Sequence, residues 1–407
     1  MSDADRAENV SGDLGRRGFL GGLAAGALPL VCTAPADATL ALSSQAEAAR
    51  HEAKPFPGVI SRLRNPDNLE FPFPTLDTFL TPNEQFYVRN HFEIPHLDAK
   101  SWRLRIEGDV EKPLELSYDE LRKFESRTVT ALMECAGNSR VFLKPPQLGV
   151  RWEQGAVGTA EWTGVPLVEV LRKAGIKEGA VELICVGADQ GKLDPPDPKT
   201  PGVIPYARSL PLAKARQPEV LLVYRMNGRD LSPSHGFPVR LVVPGWYGMA
   251  SVKWLTRLRV TDRPFHGFFQ TFQYTIWQRR DGLPDLVPVT ALDVKAQIAR
   301  PALQELVPPG QKYRVFGAAW AGEADVTRVE LSTDGGKRWS DARFLDKPVR
   351  YAWRLWEYTW ATPKQPGQYT LLARATDSHK RVQPMQRDED RRDTMITHVQ
   401  PIVVTVG

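Results

Sequence analysis

A cysteine placed after a strand-like stretch is the residue whose surroundings point most clearly to chemistry. Cys135 ends the segment 128–135, in which apolar residues alternate along one face and predict a β-strand. Gly137 and Asn138 follow it, and both residue types let the backbone turn tightly. A thiol presented in this way can act as a nucleophile, bind a soft metal, or stay inert in the core.

Two histidines bear on that choice. A nucleophilic cysteine needs a nearby general base, and His91 and His235 are the candidates. Both lie in segments rich in arginine and amide side chains, which favour a bulky anionic ligand. No zinc-spaced Cys/His pairs, CxxCH haem motif or serine nucleophile elbow occurs in the 407 residues.

Several strings of residues, in order along the chain, resemble motifs of the sulfite oxidase family. Residues 135–140, Cys-Ala-Gly-Asn-Ser-Arg, are similar to the motif whose cysteine binds molybdenum. Residues 86–91 resemble the FxxRNH segment, and residues 235–245 and 251–255 resemble the pterin-binding HGFPVRxVVPG and VKWL strings. The resemblance covers about residues 80–405.

The resemblance implies a molybdenum–molybdopterin cofactor, with Cys135 as the protein ligand of the metal. It implies that the pterin and its phosphate are held by Asn90, His91, Asp189, His235, Arg240, Ser251, Val252 and Lys253. The implied catalytic residues are arginines for an oxyanion, a tryptophan that walls the anion pocket and a hydroxyl donor: Arg89, Arg140, Arg354, Trp152 and Tyr274.

The tyrosine is the point at which this sequence departs from the animal members of the family. Those members have a catalytic tyrosine after WQRRD, whereas here residues 277–281 are followed by Gly282. Bacterial cytochrome-linked members have theirs in a segment similar to residue 264 onward, which indicates Tyr274. Tyr247 is the alternative.

Regular elements are expected on both sides of the Cys135 strand. Ser117 and Glu120 form a predicted capping box for a short helix that ends near Phe124. A second helix is predicted over residues 166–174, and strands over 181–187 and 220–225. The Asn227-Gly228 pair predicts a hairpin turn after the last of these strands. Together these elements predict a mixed α/β domain in an α+β protein.

Period-two alternation dominates the chain beyond residue 284. Predicted strands near 313–320, 326–332, 369–376 and 396–406 indicate an Ig-like β-sandwich. The predicted organisation is an export signal, an irregular arm, a molybdopterin-binding oxidoreductase domain and a sandwich that dimerises the protein: 1–38, 39–75, 76–284 and 285–407.

The N-terminus predicts export. Arg16 and Arg17 precede an apolar run too short to span a bilayer, and the pair resembles a twin-arginine signal directed to the periplasm. An ordinary secretory signal is the alternative. Cys32 lies within this signal, whereas Cys185 lies in an apolar run and is predicted to be a buried core thiol.

The chain as a whole has a net charge of +5, an excess that suits small anions or an acidic redox partner. Its basic residues are scattered rather than clustered with aromatics, which excludes a nucleic-acid-binding protein. The expected function is periplasmic oxidation of sulfite, with a separate c-type cytochrome as acceptor, in a homodimer or a heterodimer with that cytochrome. Alternatives are the molybdenum subunit of a sulfane-sulfur dehydrogenase complex, a metal-free thiol enzyme and a non-catalytic exported binding protein.

Overall fold

Residues 58–195 and 197–407 are described by the structure, which is a computed structural model. The predicted export signal, Cys32 and most of the predicted arm lie outside these residues. No helix in the described ranges is both long and apolar enough to cross a membrane.

Within the described residues, the first part of the fold contains two five-stranded sheets, a pair formed by its first two strands and three short α-helices. Its elements are β1 (Ile60–Leu63), β2 (Asn68–Glu70), β3 (Arg103–Gly108), β4 (Leu114–Ser117), α1 (Tyr118–Leu121), β5 (Arg127–Glu134), β6 (Val157–Pro166), α2 (Leu167–Ala174), β7 (Glu182–Gly191), β8 (Ile204–Pro211), α3 (Leu212–Ala215), β9 (Leu221–Met226), β10 (Arg229–Asp230), β11 (Arg240–Val242) and β12 (Leu255–Thr261). One sheet has the order β10-β9-β6-β5, with β11 also paired to β9; the other has the order β4-β3-β12-β7-β8.

The second part is a hairpin followed by a two-sheet sandwich. Its strands are β13 (Thr275–Arg280), β14 (Leu283–Pro288), β15 (Lys295–Arg300), β16 (Leu306–Val307), β17 (Lys312–Trp320), β18 (Val326–Ser332), β19 (Ser340–Asp341), β20 (Arg343–Phe344), β21 (Arg354–Ala361), β22 (Gly367–Asp377) and β23 (Ile402–Val406). The sandwich sheets have the orders β15-β17-β21-β20 and β16-β23-β22-β18-β19, and alternate residues of both fill a core of their own. The predicted α+β fold with a C-terminal β-sandwich is confirmed.

Local signals in the sequence give most of the elements around the site. Ser117 caps α1 in a capping box with Glu120, although the α-helix itself is only one turn long. The helix predicted over 166–174 is α2, and the Asn227-Gly228 turn joins β9 to β10. The strand predicted over 396–406 is shorter, since only Ile402–Val406 pairs.

The prediction of an irregular arm over residues 39–75 is wrong for part of its described portion. β1 and β2 pair there as an antiparallel hairpin, and Leu69 exchanges two backbone hydrogen bonds with Val88, of 2.9 and 2.8 Å. The Asn68 side chain also accepts from the backbone N–H of Asn90 at 3.0 Å. The hairpin escapes a sequence-based reading because its pairing depends on these distant partners rather than on alternation.

Gly155 holds this hairpin against the rest of the fold. A Cβ at this position would lie 1.7 Å from the carbonyl oxygen of Phe71. We therefore expect Gly155→Ala to lower the free energy of unfolding, measured in urea, by about 1–3 kcal/mol. Gly407→Ala is the control, because its Cβ would lie 3.6 Å from Leu306, an ordinary contact. Equal free energies of unfolding for Gly155→Ala and Gly407→Ala would contradict the prediction.

Candidate functional site

Two cavities meet at Cys135. The inner one has about 650 Å³ of empty space and the outer one, which opens to solvent, about 2730 Å³. Five residues line both cavities: Arg89, Asn90, His91, Cys135 and Tyr274. A group bound in the inner cavity through Cys135 is therefore reachable from the outer one.

The turn after β5 presents the Cys135 thiol at the junction. The backbone N–H of Cys135 donates to the Ala156 carbonyl at 2.9 Å, and its carbonyl accepts from the N–H of Asn138 at 2.9 Å. Ser139 has a φ of 78°, so the chain reverses within four residues. Cys135 and Cys185 are both free thiols, and Cys185 lies fully buried in the core, as predicted.

The Arg140 side chain, which follows this turn, lines the outer cavity together with Cys135. Its guanidinium lies so close to Gly137 and Gly149 that a Cβ at either position would fall 2.5 or 2.9 Å from it. It donates to the carbonyls of Val150, at 3.0 Å, and Asp393, at 3.2 Å. The glycine two residues after Cys135 is therefore required by the arginine as well as by the turn.

Buried positive charge characterises the inner cavity. Arg240 is 4% exposed, and its contacts are the carbonyls of His235 and Ser251 and the sulfur of Met133. Its Nε has no hydrogen-bond partner within the described residues. Burial lowers the pKa of Arg240 to about 10, because no carboxylate compensates its charge. A buried cation of this kind is suited to an anionic ligand.

Lys253 adds a second cation to the same cavity. Its ammonium contacts the side chain of Asn90 and the carbonyl of Ser234, the latter at 2.9 Å. Burial and the charge of Arg240 hold the pKa of Lys253 well below its ordinary value. Burial likewise raises the pKa of nearby Asp189 to about 7, and its Oδ1 has no partner in the described part of the chain.

The two histidines are neutral at physiological pH. Burial lowers the pKa of His235 to about 3, and its Nε2 lies 3.1 Å from the carbonyl of Asn83. Burial and the charges of Arg89, Lys253 and Arg208 hold the pKa of His91 well below its ordinary value. Each ring therefore has one N–H to donate and one nitrogen to accept.

Tyr274 lies at the junction, and His91 Nε2 is 2.5 Å from its hydroxyl. A π-helical turn, Phe268–Gln273, ends at this tyrosine. Buried Arg208 donates to the carbonyls of Phe269 and Val289, on either side of Tyr274, and lies 5.9 Å from the tyrosine ring centroid. Arg208 was not predicted as a site residue, although an arginine within the largely apolar strand β8 is a signal that could have indicated it.

Basic residues outnumber acidic ones on the outer cavity wall. The eight basic residues are Arg62, Arg89, Arg140, Lys144, Arg151, Lys192, Arg387 and Arg392; the four acidic ones are Asp194, Asp197, Glu389 and Asp393. Arg387 and Arg392 come from the loop before β23 and were not predicted. Their segment alternates charges along the chain, a pattern typical of a solvated surface, so only the fold reveals their position.

Four predicted site residues do not line either cavity. Arg354 donates to the Asp346 carbonyl at 2.9 Å and stacks 3.6 Å from the Phe344 ring centroid, so it does not reach either cavity. Arg387 and Arg392 are arginines that the sandwich contributes to the outer cavity. Trp152 is fully buried one layer back, with its ring centroid 6.4 Å from that of Tyr87, which does line the inner cavity.

Val252 and Tyr247 are the other two predicted residues that line neither cavity. The Val252 side chain lies in the hydrophobic core, and its carbonyl accepts from the N–H of Leu241 at 2.8 Å. Tyr247 is 1% exposed and belongs to the same core, which leaves Tyr274 as the tyrosine of the predicted pair at the junction. The remaining predicted residues all line one or both cavities.

The donor set fits a molybdopterin better than a metal held by protein alone. No cluster of three His, Cys, Asp or Glu side chains that could hold a metal ion occurs in residues 58–195 and 197–407. A single thiolate therefore needs further ligands from a non-protein group. The unpaired Nε of Arg240 and the Lys253 ammonium suit the phosphate of such a group.

Family models match both parts of the chain. Residues 91–269 match the oxidoreductase molybdopterin binding domain, and residues 287–397 match the Mo-co oxidoreductase dimerisation domain. The sulfite oxidase of Gallus gallus is 38% identical over 349 residues, covering 81% of this chain and 73% of that protein. The mitochondrial sulfite oxidase of Rattus norvegicus is 34% identical over 354 residues, and the match spans 81% of this chain but only 62% of that protein's length.

A solved structure is similar to this chain in fold as well as in sequence. The sulfane dehydrogenase SoxCD from Paracoccus pantotrophus superposes with a TM-score of 0.73 at 30% identity, covering 84% of this chain and 85% of that chain. Fold and site together define a molybdenum oxidoreductase whose cofactor is molybdenum–molybdopterin. The chain belongs to the sulfite oxidase family.

Asp189 gives the protein without cofactor a specific pH dependence. The folded state holds the carboxyl protonated up to about pH 7, whereas the unfolded state releases that proton near pH 4. Stability is therefore lost as pH rises between these values. We expect Asp189→Asn to raise the free energy of unfolding by about 1–4 kcal/mol at pH 8 and by less at pH 5.

Urea unfolding of the cofactor-free protein at both pH values measures this difference. Asp262→Asn is the control, because Asp262 is 59% exposed and pairs only with exposed Arg263. If Asp189→Asn raised the free energy of unfolding equally at pH 5 and pH 8, ionisation of the Asp189 carboxyl would not be the cause.

Proposed function

We propose that this protein is a periplasmic sulfite dehydrogenase. The observation that carries the proposal is the position of the Cys135 thiol between an inner cavity with buried cations and an outer cavity rich in arginine. The proposal is supported by the sulfite oxidases to which the chain is similar. The reaction converts sulfite and water to sulfate, two protons and two electrons.

The inner cavity is the proposed cofactor site. Arg240 and Lys253 attract the phosphate, while Asn90, His235 and Ser251 offer amide, imidazole and hydroxyl groups to the pterin. Asp189 and Lys253 each compensate part of the other's buried charge. Bound there through Cys135, molybdenum–molybdopterin supplies the oxygen transfer and accepts the two electrons.

The outer cavity is the proposed path of the substrate. Arg89 and Arg140 line this cavity, and their planar guanidinium groups are suited to bind a sulfur oxyanion bidentately beside Cys135. Tyr274 places its hydroxyl at the junction, 2.5 Å from Nε2 of neutral His91, so a hydrogen bond between the two fixes where the hydroxyl points. Arg387 and Arg392 add positive charge to the wall of the same cavity.

A separate c-type cytochrome is the proposed electron acceptor, because the 407 residues contain no CxxCH haem motif. Export to the periplasm is proposed from Arg16, Arg17 and the apolar run after them. Dimerisation through the sandwich is supported by the description of the family model that matches residues 287–397. The cytochrome bound as a second subunit is the alternative assembly.

A second candidate is the oxidation of sulfane sulfur carried on a protein partner. The outer cavity opens to solvent and has more room than a free oxyanion requires, and the sulfane dehydrogenase SoxCD is similar in fold. Turnover of free sulfite by the purified protein with cytochrome c would favour the first proposal. Molybdenum content without sulfite turnover would favour the second.

The central test is metal analysis of the purified protein followed by sulfite-dependent reduction of cytochrome c. We expect about one molybdenum per chain in the parent, as a single thiolate ligand implies. Cys135→Ser should lower turnover by at least about 100-fold, because it replaces a soft ligand by a hard one. Cys185→Ser makes the same change at a thiol outside both cavities and should keep both properties. A parent without molybdenum, from cells that make the cofactor, would refute the proposal.

Tyr274→Phe tests the hydroxyl at the junction. Loss of the donor beside His91 should lower kcat at saturating sulfite by about 100-fold, the usual scale for a positioned proton donor. Tyr247→Phe is the matched control, because it removes a hydroxyl from a core tyrosine away from the cavities. An unchanged kcat in Tyr274→Phe would exclude this tyrosine from the mechanism.

A further inference from the structure

A buried ion pair joins the strand before Cys135 to the β-sandwich. Glu134, the last residue of β5, accepts at Oε1 from Lys295 Nζ over 2.9 Å, and the two side chains are 2% and 1% exposed. No other ion pair in the described part of the chain has both side chains below 5% exposed. Lys295 belongs to β15, the first strand of the sandwich.

Further hydrogen bonds surround this pair on both sides of Cys135. The Trp320 indole N–H donates to Glu134 Oε2 at 2.9 Å, and Lys295 Nζ also donates to Ser139 Oγ at 3.2 Å. The Asn138 side-chain amide donates to Glu134 Oε1 and to Gln297 Oε1, each at 3.0 Å. Lys295 and Trp320 of the sandwich thus hold Glu134, the residue before the thiol. Gln297 and Lys295 hold Asn138 and Ser139, which follow the thiol.

The position of Glu134 makes this network relevant to the thiol itself. Side chains of neighbouring residues in a strand point to opposite faces, so an anchored Glu134 fixes the rotation of the strand end and the direction of Cys135. A second group of contacts acts on the turn: the Met395 N–H donates to the Ala136 carbonyl at 2.8 Å. Arg140 donates to the Asp393 carbonyl, in the same sandwich loop, at 3.2 Å.

We propose that the sandwich positions the metal-binding thiol, with Lys295 as the positioning residue that sets the Cys135 loop. The description of the matching family model refers only to dimerisation. The inference rests on the proposed function in one respect, the use of Cys135 as the metal ligand. Removing Lys295 leaves a carboxylate buried without a partner, and the loop relieves this by opening to water.

The test compares the reactivity of two thiols in the full chain produced without cofactor. Cys135 faces the outer cavity, whereas Cys185 lies in the core on β7, a strand of the other sheet. Local opening of the Cys135 loop therefore exposes Cys135 alone. Iodoacetamide labelling of each cysteine is followed by peptide mass spectrometry. In Lys295→Met we expect Cys135 to react about tenfold faster, with Cys185 unchanged.

Rescue distinguishes a positioning charge pair from simple packing. In Glu134→Gln/Lys295→Met no charge remains uncompensated, so the labelling rate of Cys135 should return to within about twofold of the parent. Molybdenum per chain, in protein from cofactor-sufficient cells, should fall below half in Lys295→Met and recover in the double variant. Lys312→Met, an exposed lysine on the same sandwich, should change neither property.

Each other outcome overturns the proposal. Parental labelling of Cys135 in Lys295→Met shows that the pair does not hold the loop, and equal acceleration of both cysteines shows a global effect. If Lys295→Met does not fold, Trp320→Phe removes the indole donor to Glu134 together with part of the buried ring, and it should accelerate Cys135 in the same direction by less. These labelling results do not depend on the substrate, so a failure of sulfite turnover in the parent leaves them decisive.

Discussion

The ion pair between Glu134 and Lys295 connects the two halves of this protein at the residue next to its reactive thiol. Burying two charges is costly, and the cost is met only where the geometry is good and the remaining polar atoms have partners. Trp320, Asn138 and Ser139 supply those partners. The residues on both sides of Cys135 are therefore held in part by hydrogen bonds from the neighbouring sandwich.

The inner cavity imposes the complementary constraint. Arg240 and Lys253 are buried among carbonyls and amides, and Asp189 carries the only carboxylate among the residues that line this cavity. Burial lowers the pKa values of Arg240 and Lys253, which reflects a desolvation cost for the charged form of each side chain. An anionic cofactor relieves it, so the same charges that strain the protein without cofactor favour cofactor binding. Selectivity for a large anion thus follows from where positive charge is buried, and the outer arginines extend the same field toward solvent.

Much of the site was accessible to sequence-based prediction because it lies in contiguous strings. Cys135, Arg140, His235, Arg240 and Lys253 fall in segments whose residue order resembles family motifs, and the structure brings all five to the two cavities. Arg354 lies away from both cavities: a similar short string does not determine where a long side chain ends, and Asp346 and Phe344 hold it within the sandwich. Arg387, Arg392 and Arg208 were missed because each resembles an ordinary surface or strand residue until its neighbours are known.

By itself the sequence determined the local features: the strand that leads to Cys135, the turn after it, the capping box of α1 and the change to period-two alternation beyond residue 284. These depend on backbone preferences and on neighbours a few positions away, which are present in any linear stretch. Only the tertiary structure decided which tyrosine reaches the junction, which arginines of the sandwich line the outer cavity, and that Lys295 anchors the residue before the thiol. Those relations join residues that lie 161 positions apart for the ion pair and 183 for His91 and Tyr274. Electrostatic and hydrogen-bond energies depend on distance in space and on burial, and neither quantity is a property of one segment of the chain.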